Sequence, residues 1–392
     1  PHVTFVSAKY KKKKRNIKIK KKQWLNNYLD ATIHKDVDII IELIGGAEGA
    51  AKKLVFNALK NKKHVVTANK ALIAKYGDQL AKIAEKNQVN LEYEAAVCGG
   101  VPIIRSLKEG LIANKISKIY GIFNGTSNYI LSSMDMQNKS FDEVLNNAKK
   151  LGYAESNPSD DLNGNDVSSK LKILSSLCFN TFLNHDIYVE GIKDIDKNDI
   201  DNANKLGYKI KLLGYAELLN NKINQRVHPT LIKKGSHIAG IDGVINAVII
   251  SGKPVGQSSI QGEGAGPSAT TSALVSDISS ILRGNIKFPF SLSNKERKKL
   301  KSSNISDKFF SAYLRFEVLD KPGVLSSITN IFSKNKVSIK RLIQDPNKEK
   351  KSSSIIIITH SSKDLHLNKI VKYISKKIYI KKKPKLIRIE EN

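Results

Sequence analysis

Residues 152–170, GYAESNPSDDLNGNDVSSK, gather Glu155, Asp160, Asp161 and Asp166 ahead of one lysine, in a chain whose formal net charge is +30. From Asp166 onward the sequence has helical periodicity, with Val167, Leu171, Leu174 and Cys178 on one face. Asp166 and Lys170 therefore stack one turn apart. Lys170 shares a flank with Leu174 and Leu177, whereas Lys172 points away. A lysine drawn toward a core needs carboxylates beside it. Its pKa is then open to tuning, and it can pass a proton as well as carry charge. The same residues also suit a capped helix start with an ordinary ion pair.

Three further groups have chemical potential. In VVTANK, Lys70 falls between a strand and a helix, on the side of a parallel sheet where ligands bind; a solvated helix-start lysine is the alternative. In EYEAAVCGGVP, a strand ending in small residues exposes carbonyls next to Glu94. Oxygen-only ligands suit a hard cation, and a buried turn with Glu94 paired to a lysine is the alternative. In QGEGAGPSATTSALVSDI, glycines ahead of an apolar helix let backbone N–H groups approach a ligand.

The elements that position these groups read as α/β. VDIIIEL (37–43) is a near-continuous apolar run, the pattern of a parallel strand covered on both faces. It ends in Gly45-Gly46 and is followed by a helix to about Asn61. HVVTA predicts the next strand. NKALIAKYGDQLAKIAEK predicts the next helix, with Leu72, Tyr76, Leu80 and Ile83 on one face. NLEYEAAV predicts a third strand, and Pro102 opens a helix. SKIYGIF and NGTSNYILSSM repeat strand, turn and helix. Further helices are expected around 140–150 and 166–180, and strands around 208–217 and 244–250. Residues 291–308 are polar and aperiodic, a linker pattern. Beyond them the order βαββαβ, closing with KLIRIEE, is ferredoxin-like.

Composition narrows the classes. A length of 392 residues allows two or three domains. The basic charge is carried by Lys spread along the chain beside abundant Asn and Ile, with few Arg. That argues against a nucleic-acid partner. No apolar run approaches a membrane span. The start, PHVTFVSAKYKKKK, lacks a secretory h-region. The two cysteines, Cys98 and Cys178, are far apart, which points to a reducing, cytoplasmic compartment.

AKKLGYAESNPSDDLNGNDVSSK resembles the signature of the homoserine dehydrogenase family through Ala148, Gly152, Asn157, Pro158, Asp161, Gly164, Asp166 and Lys170. The resemblance continues through ELIGG, TANKALIA, EAAVCGGVPII and GIFNGTSNYIL. It ends in FEVLDKPGVLSSITNIFSKNKVSI, which resembles an ACT domain, a module that binds amino-acid effectors. It implies NAD(P)H-dependent reduction of aspartate 4-semialdehyde to homoserine, on the route to threonine, methionine and isoleucine. Lys170 would donate the proton and Lys70 would assist at the nicotinamide end. Glu155, Asp166, Asp161, Gly125 and Thr126 would bind substrate. Lys70, Gly152, Gly264, Gly266 and Gly45 would contact the cofactor. Glu94 and the carbonyls of Val97, Gly99 and Val101 would hold a monovalent cation, usually sodium. The implied domains are a Rossmann-type unit at 1–100, an α+β catalytic and dimerisation domain at 101–290, a linker at 291–309 and an ACT domain at 310–392. The catalytic domain's final helix would return to the nucleotide unit. A homodimer or higher oligomer, with threonine as a possible effector, is expected.

The family's opening G-x-G-x-x-G turn is missing ahead of PHVTFV, which reads as the second strand of a Rossmann unit. A catalytically impaired amino-acid sensor is therefore an alternative, and a dehydrogenase of another amino-acid aldehyde or ketone is a second. No acid ends that strand to hold a ribose 2′-OH. Lys9 and the run to Arg15 follow instead, which predicts NADP, with NAD possible.

Overall fold

The computed structural model describes residues 1–284, 286–347 and 352–390. In the first domain β1 (Ile39–Glu42), α1 (Ala50–Lys60), β2 (His64–Thr67), α2 (Lys70–Asn87) and β3 (Leu91–Glu92) alternate. The three strands form a parallel sheet in the order β1-β2-β3. The apolar stripe of α2 buries Leu72, Ile73, Leu80, Ala81 and Ala84, with Tyr76 and Ile83 at its margin. Three expectations change here. The strand read through NLEYEAAV stops at Glu92, because Glu94–Ala96 turn into a 3-10 helix. β1 buries Ile40 and Glu42 on one face and leaves Ile41, on the other, 44% exposed, with Ile39 alone on that outer face packed against the cluster of Val66, Leu274 and Ile281. The opening residues form no ladder: Val6 makes a single parallel bridge to Trp24.

The catalytic region follows. It comprises α3 (Ile103–Arg105), β4 (Lys115–Ile122), α4 (Gly125–Gln137), α5 (Phe141–Lys150), α6 (Ser159–Asn163), α7 (Asn165–Phe179), β5 (Tyr188–Val189), α8 (Lys197–Lys205), β6 (Tyr208–Leu219), β7 (Lys222–Lys233), β8 (Ile245–Lys253), β9 (Gly256–Glu263) and α9 (Pro267–Leu282). The helix starts follow capping chemistry. Asn69 caps α2, Ser140 and Glu143 form a capping box on α5, and Pro267 opens α9. α9 returns to the first domain, where Leu274 and Ile281 pack on Val66. α7 is buried on nearly every side, far beyond the single stripe expected. In the polar connector after 290, Arg297 is inserted against Ser176 and Thr181. β10 (Lys301–Ser302) there pairs with β7.

The last domain contains β11 (Phe309–Leu319), α10 (Val324–Lys334), β12 (Ile339–Asn347), β13 (Ser352–Thr359), β14 (Ser362–Lys363), α11 (Asp364–Ile374) and β15 (Lys385–Glu390). Its main strands run β12-β13-β11-β15, the ferredoxin-like order. Residues 348–351, 391 and 392 of this domain and residue 285 of the preceding one lie outside the described residues. β15 also pairs in parallel with β7, so the last domain and the catalytic region share one sheet of twelve strands. One face of the last domain's sheet carries α10 and α11; the other meets α8, through Tyr313 and Arg315 on Asn202, Asp199 and Asp196. Among the described residues no helix is long and apolar enough to cross a membrane.

Candidate active site

The site is built where the β4–α4 turn meets the start of α7. Gly164, at φ 83°, ends the short helix α6 and lets α7 begin at once. Asp161 and Asp166 are thereby set on consecutive helices, with Lys170 one turn further. The Lys170 ammonium lies 2.8 Å from Asp166 Oδ2 and donates to the Phe123 carbonyl at 2.6 Å. Lys70, in the first turn of α2, reaches Asp166 Oδ1 at 3.0 Å. Asp166 therefore ties the two domains together through two lysines. Lys170 is buried, while the Lys70 side chain is 43% exposed.

Burial disfavours the charged form of all these groups, and the pairing decides which keep their charge. For Asp166 burial is outweighed by Lys170 and Lys70, which hold its carboxyl well below the usual carboxylate range. For Lys170 burial is outweighed by Asp166, so its ammonium is held above the ordinary lysine value. Asp161 is pushed up, by burial first and then by the charge of Asp166. The cluster rests as one ionised carboxylate between two cations, beside a second acid less ready to ionise. Cys98 lies close by, a buried thiol that burial pushes up to about 12.

The other expected site residues are distributed around this centre. Thr126 donates to the Tyr153 carbonyl at 2.7 Å, joining α4 to the loop that begins at Gly152. Gly125 packs against Val244, whose carbonyl would lie 2.7 Å from an added Cβ. Glu155 is exposed and joins no ion pair or hydrogen bond among the described residues.

On the nucleotide side, Gly45 and Gly46 turn at φ 82° and 77°. The buried Glu42 carboxylate fixes this loop by accepting from Ile44 N, Gly45 N and Thr67 Oγ1. Thr67 then accepts from Asn69 N, and Asn69 caps α2, which sets Lys70. Gly264 has no room for a side chain, since its Cβ would fall 1.2 Å from Asn246 Oδ1. Gly266 is exposed at the N-terminus of α9, where unpaired N–H groups face outward. These features suit a dinucleotide, which needs close backbone approach and helix-start donors. Lys9 is exposed on the basic run, and no contact joins it to the Lys170 cluster. Arg15 organises that run by donating to the carbonyls of Tyr10, Lys11 and Lys13.

At the expected cation segment, both Glu94 oxygens accept backbone N–H groups, from Ile104 and Arg105, each at 2.8 Å. Glu94 thus has no lysine partner; its neighbour Glu92 takes Lys108. The Val101 carbonyl accepts from Ile103 N, while those of Val97 and Gly99 accept none of the described hydrogen bonds. Three buried carboxylates, Glu92, Glu94 and Asp277, face two cations, Lys108 and Arg105. Burial pushes the Asp277 carboxyl up to about 7 and raises that of Glu94, so the segment carries less negative charge than its three carboxyls alone would give. Among the described residues no cluster of three His, Cys, Asp or Glu could hold a metal.

Asn124 is the residue that the sequence reading did not single out. It donates to Asp161 Oδ1 at 2.7 Å and to Asp166 Oδ2 at 2.8 Å. Its only local signal is a helix-capping Asn directly ahead of Gly125 and Thr126.

Family models match the chain in three blocks: "Homoserine dehydrogenase, NAD binding domain" at 2–94, "Homoserine dehydrogenase" at 102–279 and "ACT domain" at 312–376. The chain is similar to the homoserine dehydrogenase of Neisseria gonorrhoeae, 42% identical and covering 91% of this chain and 83% of that protein. It is 35% identical to that of Bacillus subtilis, over 99% and 90% of the two chains. A crystal structure of a homoserine dehydrogenase from Thiobacillus denitrificans superposes with a TM-score of 0.86 at 38% identity, covering 94% of this chain and 85% of the other. A hyperthermophilic archaeal homoserine dehydrogenase in complex with NADPH gives 0.58 at 26% identity, over 67% and 76%.

Proposed function

Because the chain belongs to the homoserine dehydrogenase family, we propose that Lys170 is the proton donor in its NAD(P)H-dependent reduction of L-aspartate 4-semialdehyde to L-homoserine. The reading of an impaired sensor is not favoured, since similarity to named dehydrogenases runs through all three domains. The observation that carries the assignment is a buried ammonium whose fixed partners, Asp166 and Phe123, leave one N–H uncommitted among the described residues.

A nicotinamide cofactor supplies the hydride, and the side chains do the rest. As charge grows on the aldehyde oxygen, the Lys170 ammonium stabilises it and then releases a proton to it. Asp166 keeps Lys170 cationic beforehand. A raised lysine pKa does not obstruct the transfer, because an alkoxide is a base of about the strength of hydroxide and far stronger than a lysine amine. Lys70 adds a second positive charge on the nicotinamide side. Glu155 and Asp161 face the ammonium group common to substrate and product and Asp166 the hydroxyl of homoserine, while Gly125 and Thr126 shape the floor. Gly45, Gly152, Gly264 and Gly266 approach the dinucleotide through backbone.

NADP is the preferred cofactor in this reading, because Lys9 and the following run offer positive charge to a 2′-phosphate. Sodium fits the segment of Glu94, Val97, Gly99 and Val101, because the Val97 and Gly99 carbonyls accept none of the described hydrogen bonds and oxygen ligands suit a hard cation. The last domain takes an amino-acid effector such as threonine, and the enzyme works as a homodimer or larger assembly in the cytoplasm. Two buried, unpaired cysteines support that compartment.

Homoserine oxidation followed by formation of reduced nicotinamide tests the activity: the wild type turns over, and an inactive wild type under saturating cofactor contradicts it. Replacing Lys9 and Lys11 with Gln lowers the ratio of kcat/KM for NADPH over NADH, and the wild-type ratio shrinks as salt screens exposed charge within about 10 Å at 0.1 M. A ratio unmoved by the substitutions returns the run to a solvated surface.

A further inference from the structure

The mechanism above needs two acids held side by side in a buried place, and like charges there repel. The turn between β4 and α4 contains the device that holds them. Phe123 offers its carbonyl to Lys170, and Asn124, the next residue, gives one amide proton to Asp161 and the other to Asp166. The Asn124 side-chain oxygen accepts from Ser127 N at 2.7 Å, so the amide cannot rotate without uncapping α4. One turn along α4, Asn128 donates to the carbonyls of Ile241, Gly243 and Ile245. The buried Lys211 locks Asn128 to Ile241 and Asp242. The turn is thus anchored from behind and spends its donors on the acids in front.

We infer that Asn124 is a positioning residue that clamps Asp161 and Asp166 into one geometry and so sets the affinity for the ammonium-bearing substrate. The inference rests on the homoserine reading. Both donors are committed, each to a carboxylate, and charge-assisted bonds of this kind are the strong ones. Without them the two acids separate, and homoserine loses the fixed positions of the acceptor for its ammonium group, Asp161, and of that for its hydroxyl, Asp166.

The capping role and the clamping role separate by substitution. Asn124→Ser keeps an N-cap of comparable quality but lacks the two donors. Its melting temperature should stay near that of the wild type. Its KM for homoserine, and its Kd for homoserine by calorimetry, should rise at least about tenfold, the loss expected for hydrogen bonds to charged groups. The acid limb of its kcat/KM profile should move to higher pH, because Asp161 is then left facing Asp166, with only Lys170 and Thr126 to favour its ionised form. Unchanged homoserine affinity and an unmoved acid limb in a folded Asn124→Ser protein overturn the inference. If that variant melts early, Asn124→Asp decides, since it keeps the capping oxygen and adds a third negative charge. Weakened homoserine binding at wild-type stability supports the clamp, and early melting of both variants assigns Asn124 to the cap alone and overturns it. An unaltered chain that fails to bind homoserine contradicts the functional reading itself, and the inference with it.

Discussion

Two of the groups of buried charge in the molecule are built differently. At the junction of the last domain with the catalytic region, Arg388 is tied to Asp364 at 2.7 Å, Glu190 at 2.9 Å and Tyr188 at 3.2 Å. Arg226 takes Glu217 and Glu390, and Arg315 takes Asp199, Asp196 and Glu317. These guanidiniums are rigid forks that stay charged, paired with carboxylates although Arg226 Nε has no hydrogen-bond partner. At the active site the cations are lysines. Lys170 keeps a proton to spare and Lys70 is half open to solvent. A guanidinium cannot give up its proton, so the buried arginine pairs fix structure even where a donor such as Arg226 Nε is left unpartnered. Burial of charge is not by itself a mark of chemistry, and neither is a spare donor; a buried cation able to release its proton is.

Breaking the junction should cost stability. Arg388→Ala leaves Asp364 buried without its cation, and removal of one member of such a pair costs about 3–5 kcal/mol. Denaturant midpoints measure the loss, while the fraction that remains folded should turn over homoserine near the wild-type rate. A loss below about 1 kcal/mol would make the junction ordinary surface electrostatics.

Altering the edge of the active site should move kinetics and leave the fold alone. Glu155 is exposed and unpaired, so Glu155→Gln should keep the melting temperature and raise the homoserine KM by about tenfold, the worth of one charge facing an ammonium. An unchanged KM removes Glu155 from the substrate site.

The smallest effect is a slope. His228 is buried at the junction, and burial, then Arg388 and Arg226, push its pKa well below the ordinary 6.5. A histidine kept neutral in the fold but free to protonate when unfolded contributes full stability above about pH 6.5. That contribution is lost as pH falls below this value, by at most about 1.4 kcal/mol per unit. His228→Gln should flatten the decline between pH 7 and 5. Parallel stability curves for the two proteins would show that His228 titrates alike in both states.

The legibility of the fold tracks how local its causes are. The strand-to-helix step at Asn69-Lys70 and the one-turn spacing of Asp166 and Lys170 are set by a few neighbouring residues, and both stand as read. The ferredoxin-like order of the last domain was legible because apolar runs such as that in β13 are set off by the turn Lys321-Pro322-Gly323 and by amphipathic helices. What escaped depends on distant partners. β7 and β9 carry Asn, Gln, Arg, Ser and Gly, so their sequences lack strong strand patterning. β7 is made a strand by β6 and β15 on either side. NLEYEAAV looked like a full strand, yet Glu94 turns back to cap residues 104 and 105. Asn124 was invisible for the same reason, because its two acceptors lie 37 and 42 positions away.

The central claim is that the active-site cluster differs from the junction because Lys170 can release a proton. Lys170→Arg keeps the positive charge and the pairing with Asp166, but a guanidinium does not deprotonate in proteins. Single-turnover reduction of aspartate 4-semialdehyde, measured beside homoserine Kd and melting temperature, tests the claim most directly. The expected result is a folded protein with homoserine affinity within severalfold of the wild type and a chemical step slower by about 10²–10⁴. A chemical step within about threefold of the wild type would contradict it, because charge alone would then suffice.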